Sequence, residues 1–354
     1  MVGTENGERD GRHTVVQWAT GTVGAHSLKA LIVHPRLELV GVHVHSQGKE
    51  GLDAGDLCGM PKTGVLATRQ IDAVLALRPD CVLYMPEGCN YEELCQLLEA
   101  GINIITTRGE LFNPRMMDPA VRARVQAACE RGNASIHATG SSPGFITEAL
   151  PIVLLSIQRR LDCLTIDEYA DLAPACSPEM IFTVMGFGET PEAFAKRDMA
   201  DMNECFAHSL GVLADAIGLP LDDVCFEHEI ATATERQPIG DGFIEPGTVA
   251  GLRMTVSAVS GGRVALRFRT NWYCTRKLNV DWGQLRDHGW RLLMEGDAPM
   301  DIDIAFPIPA GQAEGTLPGY TAHRPINAIP NVCAAKAGIV TITDLPQVLP
   351  HLGL

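Results

Sequence analysis

Short apolar runs alternate with segments of helical spacing from residue 13 to about residue 145, and each alternation predicts a strand followed by a helix. The run at 13–18 is β-rich, a small-residue turn follows it, and helical spacing covers 25–34. Further strands are expected at 37–45, 64–68, 81–85, 102–107 and 134–138, with helices at 71–77, 91–100 and 118–131. Asp118 opens the last of these helices as an N-cap, and Pro86-Glu87-Gly88 stops the strand at 81–85. Repeated βα units of this size predict an α/β fold with a doubly wound parallel sheet, whose ligand belongs at the carboxyl ends of the strands.

The pattern changes at Ser142-Pro143-Gly144. An apolar helix is expected at 145–157 and a longer one at 191–217, with strands at 164–169, 224–234, 251–259 and 263–273. Gly261-Gly262 between the last two predicts a hairpin. Asp301-Ile302-Asp303 alternates as a half-solvated strand, residues 325–337 have helical spacing, and 338–343 form a last short element. Two domains follow: residues 13–143, completed by a tail at about 320–354, and an α+β domain at 144–319.

Composition narrows the function. A formal net charge of −15 disfavours nucleic acid and anionic membrane surfaces as partners. The eleven cysteines are odd in number and scattered, with no CxxC pair and no zinc spacing, so reduced and mostly buried thiols are expected, and no metal. The polar, Gly-rich start has no apolar segment of a secretory signal, and no apolar run approaches the ~18 residues of a membrane span. A cytoplasmic protein is the expectation.

The turn after the first strand carries the chemistry. Ala19-Thr20-Gly21-Thr22-Val23-Gly24 matches A-x-G-x-x-G in a strand–turn–helix setting, the Rossmann arrangement for a dinucleotide. Gly21 lets the backbone approach a pyrophosphate, Gly24 lets the helix pack on the sheet, and the amides of Thr22 and Val23 face the phosphate charge. A tight βα turn without a ligand is the alternative. At the end of the second strand Ser46 and Lys49 stand where an acidic residue would select NAD(H), which favours NADP(H); Glu50 and Asp53 follow closely and keep NAD(H) possible.

The turn, Tyr84-Met85-Pro86-Glu87-Gly88 and Ile104-Ile105-Thr106-Thr107-Arg108-Gly109-Glu110 resemble a dihydrodipicolinate-reductase-type N-terminal domain. That reductase's E-x-H-H-x-x-K segment is missing; Asp167-Glu168-Tyr169-Ala170-Asp171 stands in its place. The fuller resemblance is to 2,4-diaminopentanoate dehydrogenases and native amine dehydrogenases. It rests on Val15 to Gly24, the Thr106 to Phe112 loop, Ser142-Pro143-Gly144-Phe145, Val184 to Gly188 and Asn327 to Ala335. The resemblance implies interconversion of amines with ketones or aldehydes plus ammonia, and a homodimer built through the second domain. It also implies cofactor contacts from Ala19, Thr20, Gly21, Thr22, Val23, Met85, Pro86, Thr107, Arg108, Ser142 and Asn327.

Glu110 maps onto the family's catalytic glutamate. A carboxylate there would accept a proton from ammonium or the attacking amine and stabilise the cationic iminium. A glutamate capping the region before the Asp118 helix is the bland reading. Phe145, Tyr169, Met180, Phe182 and Met185 are candidates for an apolar substrate pocket, or plain core, and His208 for a polar contact within it. No convincing carboxylate-binding arginine stands near these segments, which disfavours 2,4-diaminopentanoate itself. Glu227-His228-Glu229 alternates on a strand and predicts no metal site. A carbonyl reductase and a non-catalytic NADPH sensor are the rival functions.

Overall fold

The computed structural model describes residues 12–352; residues 1–11 of the polar start, on which the expectation of no signal rests, lie outside them. In chain order the elements begin with β1 (His13–Trp18), α1 (Thr22–Ile32), β2 (Leu37–His43), α2 (Ala54–Cys58), β3 (Ala67–Thr68), α3 (Ile71–Leu77) and β4 (Cys81–Tyr84). There follow α4 (Tyr91–Glu99), β5 (Asn103–Thr106), α5 (Pro119–Gly132), β6 (Ser135–Ala138), α6 (Leu150–Leu155) and β7 (Leu161–Asp171). Next come α7 (Pro191–Phe194), α8 (Ala200–Ala216), β8 (Asp223–Thr232), β9 (Gln237–Ile239), β10 (Gly242–Ile244), β11 (Val249–Ser260) and β12 (Arg263–Tyr273). The chain finishes with β13 (His288–Gly296), β14 (Met300–Ala305), α9 (Ala313–Cys333) and β15 (Gly338–Val340). It divides into two compact units, one of Met1–Ser141 with Pro318–Leu354 and one of Ser142–Leu317.

The first unit is a Rossmann-type parallel sheet in the order β15-β6-β5-β4-β1-β2-β3. Alternation along the strands sends Val16, Trp18, Val82, Tyr84, Ile104 and Ile136 to the core beneath α4 and α5. Val15, Leu83 and Ile105 point the other way, onto Leu31 of α1 and Ile326, Ile329 and Val332 of α9. Both faces are thus covered, which is why these strands are nearly continuous in apolar residues. Strand order reverses between β1 and β4, the kind of switch point where such sheets take ligands.

The connections follow local chemistry. Asn90 caps α4 by accepting from the amides of Glu92 and Glu93, and Asp118 caps α5 at Ala120 and Val121. Asp53 does more than cap α2. Its carboxylate accepts from the amides of Gly55 (2.8 Å), Thr63 (2.9 Å) and Gly64 (2.8 Å) and from the Thr63 hydroxyl. These donors, the Thr63 amide foremost, hold Asp53 below the usual carboxylate range. Because the folded value lies below the unfolded one, the stabilisation is present above the unfolded carboxylate range, about pH 4, and fades as acid protonates the group. In urea titrations Asp53→Asn is expected to be less stable than wild type at pH 7, with the gap closing toward pH 3; a gap independent of pH would refute the assignment.

The second unit is a mixed sheet in the order β14-β13-β7-β12-β11-β8, with β7 and β12 parallel and the other neighbours antiparallel. One face, with Leu164, Ile166, Met254, Val256, Leu266, Phe268 and Leu292, packs on Phe206, Leu210 and Leu213 of α8. The other face is polar, with Arg269 forked onto Asp167 at 2.6 and 3.0 Å and Arg291 onto Asp301. The β11–β12 hairpin turns at Gly261 and Gly262, whose φ of 58° and 72° suit a two-residue turn.

Two expectations need correction. The helix foreseen at 191–217 is two helices, α7 and α8. Between them Arg197 turns aside to Glu189 and the carbonyls of Thr183 and Val184, and Asp198 accepts from the Ala200 amide to start a new helix. The final helix starts at Ala313, ahead of the expected 325, and carries Pro318, Pro325 and Pro330 inside it.

Candidate functional site

Three loops leave the carboxyl edge of the first unit's sheet from adjacent parallel strands: Ala19 to Gly24 after β1, Met85 to Gly88 after β4, and Thr107 to Glu110 after β5. The first is shaped by its small residues. Ala19 adopts φ 70°, the left-handed conformation in which glycine is usual. A Cβ on Gly24 would stand 2.3 Å from the Ala19 carbonyl oxygen, so only glycine lets α1 close on the turn. A Cβ on Gly21 would meet nothing within 4 Å, and Gly21 and Thr22 are exposed. Gly21 is the N-cap of α1 and offers no side chain to its amides. The edge therefore presents bare helix-start donors toward open space, the fit expected for a pyrophosphate.

The end of β2 folds onto this turn. Lys49 donates to the Thr20 carbonyl (2.8 Å) and hydroxyl (3.2 Å), and Ser46 is exposed beside it. Arg69, which the sequence reading missed, comes to the same corner: its Nε donates to the His45 carbonyl at 3.0 Å, and Glu50 lies 3.9 Å away. Its signal was its position, directly after a short strand that pairs in parallel with β2. Asp53 is committed to backbone amides, leaving Glu50 as the acidic side chain near Arg69.

Glu110 lies in a 3-10 turn, Gly109–Leu111, with its side chain 38% exposed. Arg108 Nη2 donates to its Oε1 at 2.8 Å, while Arg108 Nε is buried without a partner. Cys89 and Tyr91, neither foreseen, adjoin the pair; burial pushes both groups up, each to about 12, with Glu110 adding to the rise. Met85 is buried, Pro86 and Thr107 are partly exposed, and Asn327 is partly exposed on α9.

In the second unit the candidate pocket residues do not form one group. Ser142 and Pro143 are extended, Gly144 turns the chain at φ 119°, and the chain becomes helical at Phe145. Phe145 packs 6.2 Å from the Trp290 ring, centroid to centroid. Phe182 and Met185 belong to a separate apolar cluster around Ile181 and Phe187, and Met180 is 40% exposed. Tyr169 lies on the polar sheet face with Arg286 over its ring, while its neighbour Glu168 turns toward Trp290. His208 is buried on α8, next to a Ser209 that donates to the buried Glu148 at 2.6 Å. His228 reaches Asn203 on α8 and so faces away from Glu227 and Glu229.

A family model described as the 2,4-diaminopentanoate dehydrogenase C-terminal domain matches residues 145–352. The chain belongs to this family. Among relatives of this family member, an amine dehydrogenase of Streptomyces virginiae is 26% identical over 352 residues, covering 94% of the chain and 96% of the relative. A 2,4-diaminopentanoate dehydrogenase of Acetoanaerobium sticklandii is 22% identical over 349 residues, covering 94% and 93%. The solved structure of an amine dehydrogenase from Mycobacterium smegmatis superposes with a TM-score of 0.79 at 20% identity, over 97% of the family member and 98% of that chain. The resemblance read from the motifs holds, as does the fold class. No described helix of this family member is long and apolar enough to cross a membrane.

Proposed function

We propose that the chain is an NAD(P)H-dependent amine dehydrogenase that prefers NADP(H). It reductively aminates small aliphatic ketones and aldehydes with ammonia and runs the reverse deamination. The observation that carries this reading is the shared sheet edge, from which the glycine-bearing turn and the Glu110 loop both emerge. The first unit is the dinucleotide-binding domain, and the second binds substrate and builds a homodimer. The protein works in the cytoplasm.

Bound nicotinamide supplies the hydride. The amides of α1 hold the pyrophosphate, helped by the open side of Gly21. Lys49 and Ser46, with Arg69 beside them, take the 2′-phosphate. Glu110 accepts a proton from ammonium or the attacking amine, because only the free amine adds to a carbonyl. It then gives that proton to the carbinolamine hydroxyl, which leaves as water, and the restored carboxylate stabilises the cationic iminium. Phe145 lines the substrate.

Incubation with NADPH, a panel of short ketones and aldehydes including cyclohexanone, and high ammonium at about pH 9 tests the class. Amine product that appears only with ammonium supports it. Alcohol product without ammonium would mark a carbonyl reductase, and binding without turnover a sensor. For the cofactor, Lys49→Ala is expected to weaken NADPH binding about tenfold while leaving NADH nearly unchanged, read by titration of nicotinamide fluorescence. Equal losses for both dinucleotides would count against the phosphate role.

A further inference from the structure

The end of the first sheet away from the loops after β1, β4 and β5 gathers two cysteines and a histidine. Cys81 opens β4, His13 opens β1, and Cys333 closes α9. Val15 of β1 pairs with Cys81, which sets the start of β1 beside the start of β4. Asp80 fixes that corner: its carboxylate accepts from the Thr14 amide at 2.7 Å, and its own amide donates to the Thr14 carbonyl at 2.9 Å. Cys333 reaches the same corner, with Sγ 3.7 Å from the Asp80 carbonyl, a long bond that it makes as a thiol. Cys81 and Cys333 pack in one apolar cluster; Cys81 is fully buried, while Cys333 and His13 are partly exposed. The Cys333 sulfur is also hydrogen-bonded to the Cys81 side chain and to the His13 ring. All eleven cysteines are free thiols.

Two donors on one sulfur favour its thiolate. The Cys81 thiol foremost, and then His13, hold Cys333 below the ordinary thiol range; the contact with Cys333 raises His13, and burial keeps Cys81 protonated. Asp80 opposes a negative charge on Cys333 and Arg36 a positive one on His13, both less strongly than the direct hydrogen bonds act. The carboxyl end of α9 also opposes the thiolate, and the direct donors outweigh it. We propose that Cys333 is a peroxide-reactive thiol, assisted by His13 and resolved by Cys81 into a reversible disulfide. The Cys333 thiolate attacks hydrogen peroxide, the S–O bond forms and the O–O bond breaks, and the leaving hydroxide takes the imidazolium proton of His13 to become water. Cys333 is thereby oxidised to a sulfenic acid and the peroxide reduced. The Cys81 thiol passes its proton to His13 and attacks the Cys333 sulfur; the S–S bond forms, the S–O bond breaks, and a second water leaves. The site lies within the first unit and does not depend on the amine dehydrogenase reading.

The test takes the full chain, fully reduced, with hydrogen peroxide at about pH 7 and resolves every cysteine by mass spectrometry. Cys333 is expected to be oxidised about tenfold faster than Cys225, although Cys225 is exposed and Cys333 only partly so. Wild type is expected to yield a linked Cys81–Cys333 peptide that dithiothreitol separates. In Cys81→Ser the sulfenic acid is expected to persist on Cys333 and to be trapped by dimedone. His13→Gln is expected to slow the oxidation of Cys333 about tenfold at pH 7 and to match wild type near pH 10, where a thiol of pKa about 8.5 ionises unaided. Oxidation of Cys333 no faster than that of Cys225 overturns the inference, and so does a wild type that gives no Cys81–Cys333 link. Both of these results are read on wild type alone, so they stand if a variant folds poorly. Slowing by His13→Gln at both pH values removes the histidine from the chemistry and overturns its part in the proposal.

Discussion

Glu110→Gln is expected to lower ammonium-dependent NADPH oxidation by about 10²- to 10⁴-fold, the range that a positioned acid–base group supplies. The substitution keeps the shape of the side chain and a hydrogen-bond acceptor for Arg108. It removes the charge and the ability to take a proton. The Arg108–Glu110 pair is only partly buried, with 25% and 38% of the two side chains exposed, so its loss changes stability little. NADPH affinity is expected to change by less than threefold, because the turn after β1 does not depend on Glu110. The comparison therefore needs two numbers from one preparation, kcat with saturating ketone and ammonium and Kd for NADPH. A variant retaining more than a tenth of wild-type kcat would remove Glu110 from the chemistry and return it to a capping role.

The second large effect separates two glycines that a motif treats alike. Gly24→Ala puts a methyl group 2.3 Å from the Ala19 carbonyl oxygen, so α1 or the turn must move. Forcing a methyl group into packed surroundings costs about 1–3 kcal/mol. Because what moves is the phosphate-facing turn, NADPH affinity is expected to fall at least tenfold as well. Gly21→Ala meets nothing within 4 Å at an ordinary backbone conformation, so stability is expected to stay within about 0.5 kcal/mol. Under the proposed function its methyl group would enter the space of the pyrophosphate, and cofactor affinity is expected to fall. Thermal unfolding and NADPH titration of both variants decide the matter. If Gly21→Ala binds NADPH as wild type does, the pyrophosphate does not lie against this turn.

The first unit was legible because its elements are short, local and punctuated. β1, α3 and the Asp118 cap fall at their expected positions. Ala19 shows how a motif can be read through a substitution: alanine occupies the left-handed position that glycine usually fills, and the turn survives. The second unit was harder. Its sheet joins strands distant in sequence, β7 with β12 and β13, and β13 was not foreseen because its partners decide its register. The last helix begins at Ala313 rather than 325, and Pro318, Pro325 and Pro330 are all accommodated within it. On β7 the parity was not legible: the alternation of the strand turns Glu168 toward Trp290 and Tyr169 onto the polar face. Which face is which depends on the sheet's partners, and residues 167–171 alone do not carry that information.

β15, at one edge of the first sheet, comes from sequence that follows the second unit, and it covers β6 through Gly338, Ile339 and Val340. The helix before it, α9, provides Ile326, Ile329 and Val332 to the layer on one side of that sheet. On the ribosome, the unit that begins first is therefore completed last. Residues 12–141 emerge with an unpaired strand edge and one apolar layer uncovered, while Ser142–Leu317 can finish folding in the interval. An exposed parallel edge is a template for pairing with other chains. The β6 edge and one apolar layer of the first unit thus stay uncovered while the second unit is made, the interval in which shielding that edge matters.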